Sequence, residues 1–175
     1  MRFIPTRLDG AFVVEIEPVA DSRGLFARTF CAREFAQQGL TETFVQDSVS
    51  WNASKGTLRG LHYQKPPHGE VKLVRCTSGA LLDVIVDLRP ASPTYLQHVG
   101  VELTAENRRA LYIPEMFAHG FQTLMDGTEV SYQISTFYAP DHGAGLRWND
   151  PRLGIEWPIA ISVISEKDQS WPLLP

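Results

Sequence analysis

Gly56-Thr57-Leu58-Arg59-Gly60-Leu61-His62-Tyr63-Gln64, followed closely by His68-Gly69-Glu70-Val71-Lys72-Leu73-Val74-Arg75, is the stretch whose reading decides what kind of chain this is. From Thr57 to Gln64 the β-branched and aromatic content favours a strand. Within that largely apolar setting stand an arginine, a histidine and a lysine. A β-core does not need them, because burying a charge without a partner is costly. The combination therefore reads as a cavity for an anionic substrate, and the bland counterpart makes Arg59 and Lys72 ordinary rim cations on strand ends. In a regular strand Arg59 and His62, three apart, face opposite sides. Gly60 between them is where a bulge would turn both inward.

Outward from this stretch the chain reads as a succession of short strands. Phe12–Ile16 is a first strand, closed by Pro18 and the turn Asp21-Ser22-Arg23-Gly24, and Leu25–Phe30 a second. Ala32–Gln38 carries good helix formers with Gly39 in the stop position. Thr43–Ser50 and Thr57–Gln64, joined by a turn at Asn52–Gly56, read most simply as a hairpin. Leu82–Leu88 places Leu82, Val84, Val86 and Leu88 on one face and Asp83, Ile85 and Asp87 on the other, an acidic face for a central strand. Val99–Leu103, Ala110–Ile113 and Gly120–Leu124 add strands, and from Thr128 to Tyr138 the residues Val130, Tyr132, Ile134, Thr136 and Tyr138 share a face. Many short strands with frequent turn residues point to an all-β barrel or sandwich. The segment after Pro140, rich in Gly, Pro and Trp, is expected to wrap that barrel as irregular structure.

With 175 residues and no linker-like segment, one domain is expected. Against 20 Asp+Glu there are 16 Lys+Arg, a formal charge of −4, which argues against a nucleic-acid footprint. Cys31 and Cys76 alone do not make a disulfide framework, and no apolar run is long enough to span a bilayer, so a cytoplasmic protein without a membrane partner is expected. A histidine-bearing barrel also raises the question of a metal. His62 and His119 stand roughly where ligands would be offered, but Gln64 occupies the place of the second histidine of a His-x-His pair, and two imidazoles without a convergent third ligand make a poor site. No metal is expected. His68, His98 and His142 read as surface histidines.

Several segments, taken together, resemble one family. Asp21-Ser22-Arg23-Gly24-Leu25-Phe26, Phe44-Val45-Gln46-Asp47, Leu58-Arg59-Gly60-Leu61-His62, Lys72-Leu73-Val74-Arg75, Phe117-Ala118-His119-Gly120-Phe121, Trp148-Asn149-Asp150-Pro151 and Ser165-Glu166-Lys167-Asp168 run in order along nearly the whole chain. They closely resemble the dTDP-4-dehydrorhamnose 3,5-epimerase family. The resemblance implies a cupin-type jelly-roll barrel with one or two short helices and no cofactor. It also implies a homodimer that exchanges N-terminal strands, and a dTDP-linked 4-keto-6-deoxy sugar as substrate. The expected reaction converts dTDP-4-dehydro-6-deoxy-D-glucose to dTDP-4-dehydro-L-rhamnose. The alternatives are inversion of a single centre in a related sugar and a non-catalytic sugar-nucleotide-binding cupin.

Inverting a carbon beside a ketone requires a base on one face, an acid on the other and a group that holds the enolate. His62 suits the base, an unperturbed imidazole titrating at ~6.5. Asp168 matches the family's partner carboxylate and would orient that ring. Lys72 would stabilise the enolate oxygen, and Tyr132 would return the proton. Arg59 and Arg23 suit phosphate and sugar contacts, while His119, Gln46 and Tyr138 match family positions lining the sugar or nucleotide pocket, with Lys167 a further addition. Each has an ordinary reading too: His62 a satisfied core histidine, Tyr132 a core aromatic, Asp168 a solvated turn residue, Lys72 an exposed strand position. Ser48, a further substrate-binding candidate by its place in the family pattern, departs from the family's asparagine after Gln-Asp, and Arg28 from its glutamate, both near the sugar and nucleotide.

Overall fold

In the computed structural model, which describes residues 1–175, the chain runs β1 (Arg2–Pro5), β2 (Phe12–Glu15), β3 (Val19–Asp21), β4 (Gly24–Phe26), α1 (Ala32–Gln37), β5 (Gln46–Asn52), β6 (Thr57–Gln64) and β7 (Lys72–Ser78). It continues through β8 (Ala80–Asp87), β9 (His98–Thr104), β10 (Ala110–Ile113), β11 (Phe117–Thr123), β12 (Thr128–Ile134), β13 (Gly143–Gly145), β14 (Val163–Ile164) and α2 (Glu166–Ser170). One sheet has the order β1-β2-β10-β7-β12-β5; the facing sheet has the order β13-β6-β11-β8-β9, with β14 also paired to β6. The two sheets close a jelly-roll barrel.

The barrel interior is apolar because the alternating residues of both sheets meet there. Val74, Cys76, Leu111, Ile113 and Val130 from the first sheet pack against Leu81, Ile85, Leu103, Phe117 and Phe121 from the second. Each sheet also buries its outer face. Behind the first, Phe35 of α1 packs with Val14, Leu73 and Tyr112, helped by edge-on contacts to Phe3 and Phe30. Leu61, Val84, Val86 and Ala118 behind the second are covered by Leu146 and Leu153 of the C-terminal segment. The helix stops where Gly39, at φ +69°, takes the left-handed conformation.

Three sequence expectations change. The strand expected over Leu25–Phe30 ends at Phe26, since Phe30 turns away to bury its ring against Phe35 and Phe44. The hairpin between Thr43 and Gln64 does not form: β5 pairs with β12 in the first sheet and β6 with β11 in the second, so the turn between them carries the chain across the barrel. Third, the segment after Pro140 is not wholly irregular, because β13, β14 and α2 lie within it. The acidic face of β8 also finds its explanation. Asp83 and Asp87 pair in register with Phe121 and Phe117, so they point into the barrel. There Asp87 is held by Arg89, Ser92 and Thr94, and Asp83 by His119.

Candidate active site

At one end of the barrel the two sheets leave a cavity of about 570 Å³. One wall is β6 and β11, contributing Arg59, His62 and His119. The opposite wall is β5, β7 and β12, contributing Ser48, Lys72 and Tyr132. Ser165, Lys167 and Asp168 close the side, and Tyr138 stands at the mouth, exposed.

The β6 wall depends on a bulge. His62 pairs with His119 and Arg59 with Phe121, so three steps along β6 match two along β11. Residues directly opposite share a face, and the extra residue therefore brings both Arg59 and His62 inward. Gly60, at φ +107°, makes this possible: a Cβ there would lie 2.6 Å from the Cα of Gly120 and 2.7 Å from the carbonyl oxygen of His119. The same distortion frees the Gly60 N–H, which donates to Asp168 Oδ2 at 3.2 Å.

Asp168 arrives from the far end of the chain. Ser165 caps α2 by accepting from the Asp168 N–H at 3.1 Å, and this turn aims the carboxylate at His62, with 2.5 Å between Nε2 and Oδ1. Burial alone would raise the Asp168 carboxyl. The hydrogen bond and charge of His62, with the Gly60 N–H and the Ser165 hydroxyl, outweigh it and hold the group below its ordinary range. An ionised Asp168 accepts from Nε2–H and leaves the lone pair of His62 on Nδ1. The ring keeps substantial exposure, 45% of its side chain against 5% for Asp168, and is thus no sealed core histidine.

Across the cavity, burial pushes the Tyr132 phenol well above its usual range, and the negative charge of Asp83 adds to the shift. Such a phenol stays protonated at neutral pH and releases its proton only to a strongly basic centre, as an enolate carbon is. Its neighbour His119 is buried, its Nε2 2.5 Å from Asp83 Oδ1 and its ring 6.1 Å from that of Tyr132. Lys72 does not lie on an exposed strand face. Its Nζ sits 2.9 Å from Glu70 Oε1 inside the cavity. Arg59 is aimed by Asn52, whose Oδ1 accepts from Nε at 2.7 Å, and its terminal nitrogens keep no hydrogen bond within the chain. Lys167 lies over the Trp171 ring at 5.6 Å.

Two expected residues are placed otherwise. Arg23, on the turn between β3 and β4, is 87% exposed, pairs with Asp21 and does not line the cavity. Gln46 supports the mouth from behind, its Oε1 accepting from the Tyr138 N–H at 2.7 Å. Sequence reading passes over Glu70, Asp83, Asn52 and Ser165 as parts of this site. Signals exist for two of them: Glu70 is two residues from Lys72 and so shares its strand face, and Ser-x-x-Asp is a capping pattern. No group of three or more His, Cys, Asp and Glu side chains is arranged to hold a metal ion; each cavity histidine is engaged by its own carboxylate.

The arrangement matches known proteins along its whole length. The family model described as dTDP-4-dehydrorhamnose 3,5-epimerase matches residues 5–175. The chain is similar to the dTDP-4-dehydrorhamnose 3,5-epimerase of Methanothermobacter thermautotrophicus, 47% identical over 97% of this chain and 92% of the relative. Among solved structures, it resembles the Bacillus anthracis enzyme of that name with TDP and PPi bound: 43% identity, TM-score 0.95, 99% of each chain covered. A Legionella pneumophila epimerase in complex with dTDP-4-keto-L-rhamnose gives 38% identity and a TM-score of 0.92, covering 98% of this chain and 92% of that one. The chain belongs to the dTDP-4-dehydrorhamnose 3,5-epimerase family.

Proposed function

We propose that this cavity inverts C3 and C5 of dTDP-4-dehydro-6-deoxy-D-glucose to give dTDP-4-dehydro-L-rhamnose, with the chain's own side chains as acid and base. The chain is an isomerase of the epimerase type, and the observation that carries the mechanism is the placement of His62 and Tyr132 on opposite walls of one cavity. His62 Nδ1 takes the proton from the carbon next to the C4 ketone. The C–H electron pair becomes a C=C bond and the carbonyl pair moves onto oxygen, where the Lys72 ammonium meets the developing charge. Tyr132 then delivers its proton to the opposite face of that carbon, the carbonyl reforms, and the imidazolium and phenolate return to their starting states through solvent. Both C3 and C5 flank the ketone, so one constellation serves both when the ring presents each in turn. Arg59, with free guanidinium nitrogens at the cavity, suits the diphosphate.

The test is position-resolved deuterium incorporation in heavy water, read by NMR on the 4-keto sugar. Label at C3 and C5 together is the expected result. Label at C3 alone reduces the reaction to a single centre, and affinity for the nucleotide sugar without label overturns the enzymatic reading.

Arg23 enters this reading through a second copy of the chain. The β3–β4 hairpin pairs only with itself and presents Val19, Leu25 and Phe26 to solvent, Phe26 at 79% exposure; an apolar hairpin so placed suits exchange between protomers of a homodimer, with the arginine reaching the neighbour's cavity. Mixing Arg23→Ala with His62→Ala protomers is then expected to restore about one quarter of wild-type activity, because half of the dimers that form are mixed and each holds one intact site of two. No recovery on mixing places Arg23 outside the site.

A further inference from the structure

The Glu70–Lys72 pair is an unexpected feature of a cavity meant for an anion. Both side chains are about nine-tenths buried, 11% and 10% exposed, with 2.9 Å between the charged atoms. Buried ion pairs are weak contributors to stability, since desolvation offsets much of the attraction. A neutralised lysine is also a poor trap for a free diphosphate. The backbone around Glu70 is nevertheless held firmly. The Thr136 hydroxyl donates to the Gly69 carbonyl at 2.8 Å, the Val71 N–H donates to Ser135 Oγ at 2.8 Å, and the Ser135 N–H donates to the Val71 carbonyl at 3.0 Å. Three hydrogen bonds to the chain just beyond β12 thus fix the residue that grips Lys72. Lys72 has no other ionic or hydrogen-bonded partner in the chain.

A reason for the grip lies in the substrate. A lysine ammonium is a point charge on a flexible four-carbon stem, and a nucleoside-diphosphate sugar brings a diphosphate into the same cavity as the ketone. A loose ammonium would be drawn toward the diphosphate, where it strengthens ground-state binding, and away from the ketone oxygen, where charge appears only during reaction. Resting on the role given above to Lys72, we propose that Glu70 is a positioning residue that tethers the Lys72 ammonium beside the ketone oxygen and keeps it from the diphosphate.

The tether predicts opposite signs for catalysis and binding. Glu70→Gln is expected to lower the kcat for deuterium exchange about 10- to 100-fold while dTDP binds more tightly, its Kd read by calorimetry. In a Lys72→Ala background the same change is expected to do nothing further, the signature of two residues acting as one unit. A Glu70→Gln enzyme with kcat within about twofold of wild type, or with weakened dTDP binding, overturns the proposal, and so does an equal loss in the Lys72→Ala background. Should Glu70→Gln fail to fold, Glu70→Asp decides by the same two readouts, since it keeps the charge but withdraws it by one methylene. An unchanged exchange rate in Lys72→Ala alone overturns the oxyanion role itself, an outcome distinguishable from the failure of the tether.

Discussion

His62→Ala is expected to lower deuterium exchange at C3 and C5 by about 10²- to 10⁴-fold, the usual span for a positioned general base, with dTDP affinity little changed. The separation of effects follows from where the ring sits. Its Nε2 is spent on Asp168 at 2.5 Å, and Arg59, the cation proposed for the diphosphate, stands elsewhere on the wall. Asp168→Asn should be about as damaging, because an amide no longer demands the Nε2–H tautomer and no longer stabilises the imidazolium. Protein stability moves in a direction that can be checked. The native pairing depresses the Asp168 carboxyl, so its contribution is present above the unfolded carboxylate value of ~3.9 and is lost as pH falls through the lower folded value. Removing His62 shrinks that depression, and acid unfolding should begin at a higher pH than in the wild type. Exchange in His62→Ala within tenfold of wild type would assign the proton abstraction to another group.

Gly60→Ala should be strongly disruptive for a single added methyl. The added Cβ meets backbone on two sides, the Gly120 Cα at 2.6 Å and the His119 carbonyl at 2.7 Å, and backbone of a paired strand cannot retreat as a side-chain tip can. Overpacking of this kind costs about 1–3 kcal/mol, and a non-glycine residue held at φ +107° adds about 1–3 kcal/mol. The sum corresponds to a fall in Tm of roughly 5–20 °C. Activity should fall further than stability alone explains, since the bulge orients Arg59 and His62 and supplies an N–H to Asp168. Gly127→Ala is the control. Gly127 also has positive φ, at +64°, but open space where its Cβ would be, so it carries a conformational penalty without the collision. Equal Tm losses in the two variants would show that the approach of β6 to β11 is not what matters at Gly60.

The local grammar of the chain is readable from its residues and the long-range pairing is not. Alternation places Val130 and Tyr132 on one face of a strand, and the structure keeps them there. Alternation says nothing, however, about which sheet a strand joins, which is why two consecutive strands that read as a hairpin face each other across the barrel. The inward bulge at Gly60 is legible because the chemistry needs both Arg59 and His62 on one side. The acidic face of β8 looks anomalous in the sequence because its partner, His119, lies 36 residues on and only the β8–β11 register brings them together. Glu70 is visible on the same face as Lys72, but two side chains sharing a face reveal nothing of the gap between their charges. Arg23 shows a different boundary: its side chain pairs with Asp21 at the surface, and nothing in the pairing of its own chain ties it to the cavity.

The distance in sequence between His62 and Asp168, 106 residues, has a consequence for the life of the protein. Every strand of the two walls is synthesised before the short helix that completes the pair, so a nascent barrel can be well built and still inert. A protease that nicked the exposed stretch near Val163 and released the peptide C-terminal to the cut would silence the enzyme while leaving its barrel standing, and such a clipped form would still pass for intact by its far-ultraviolet spectrum.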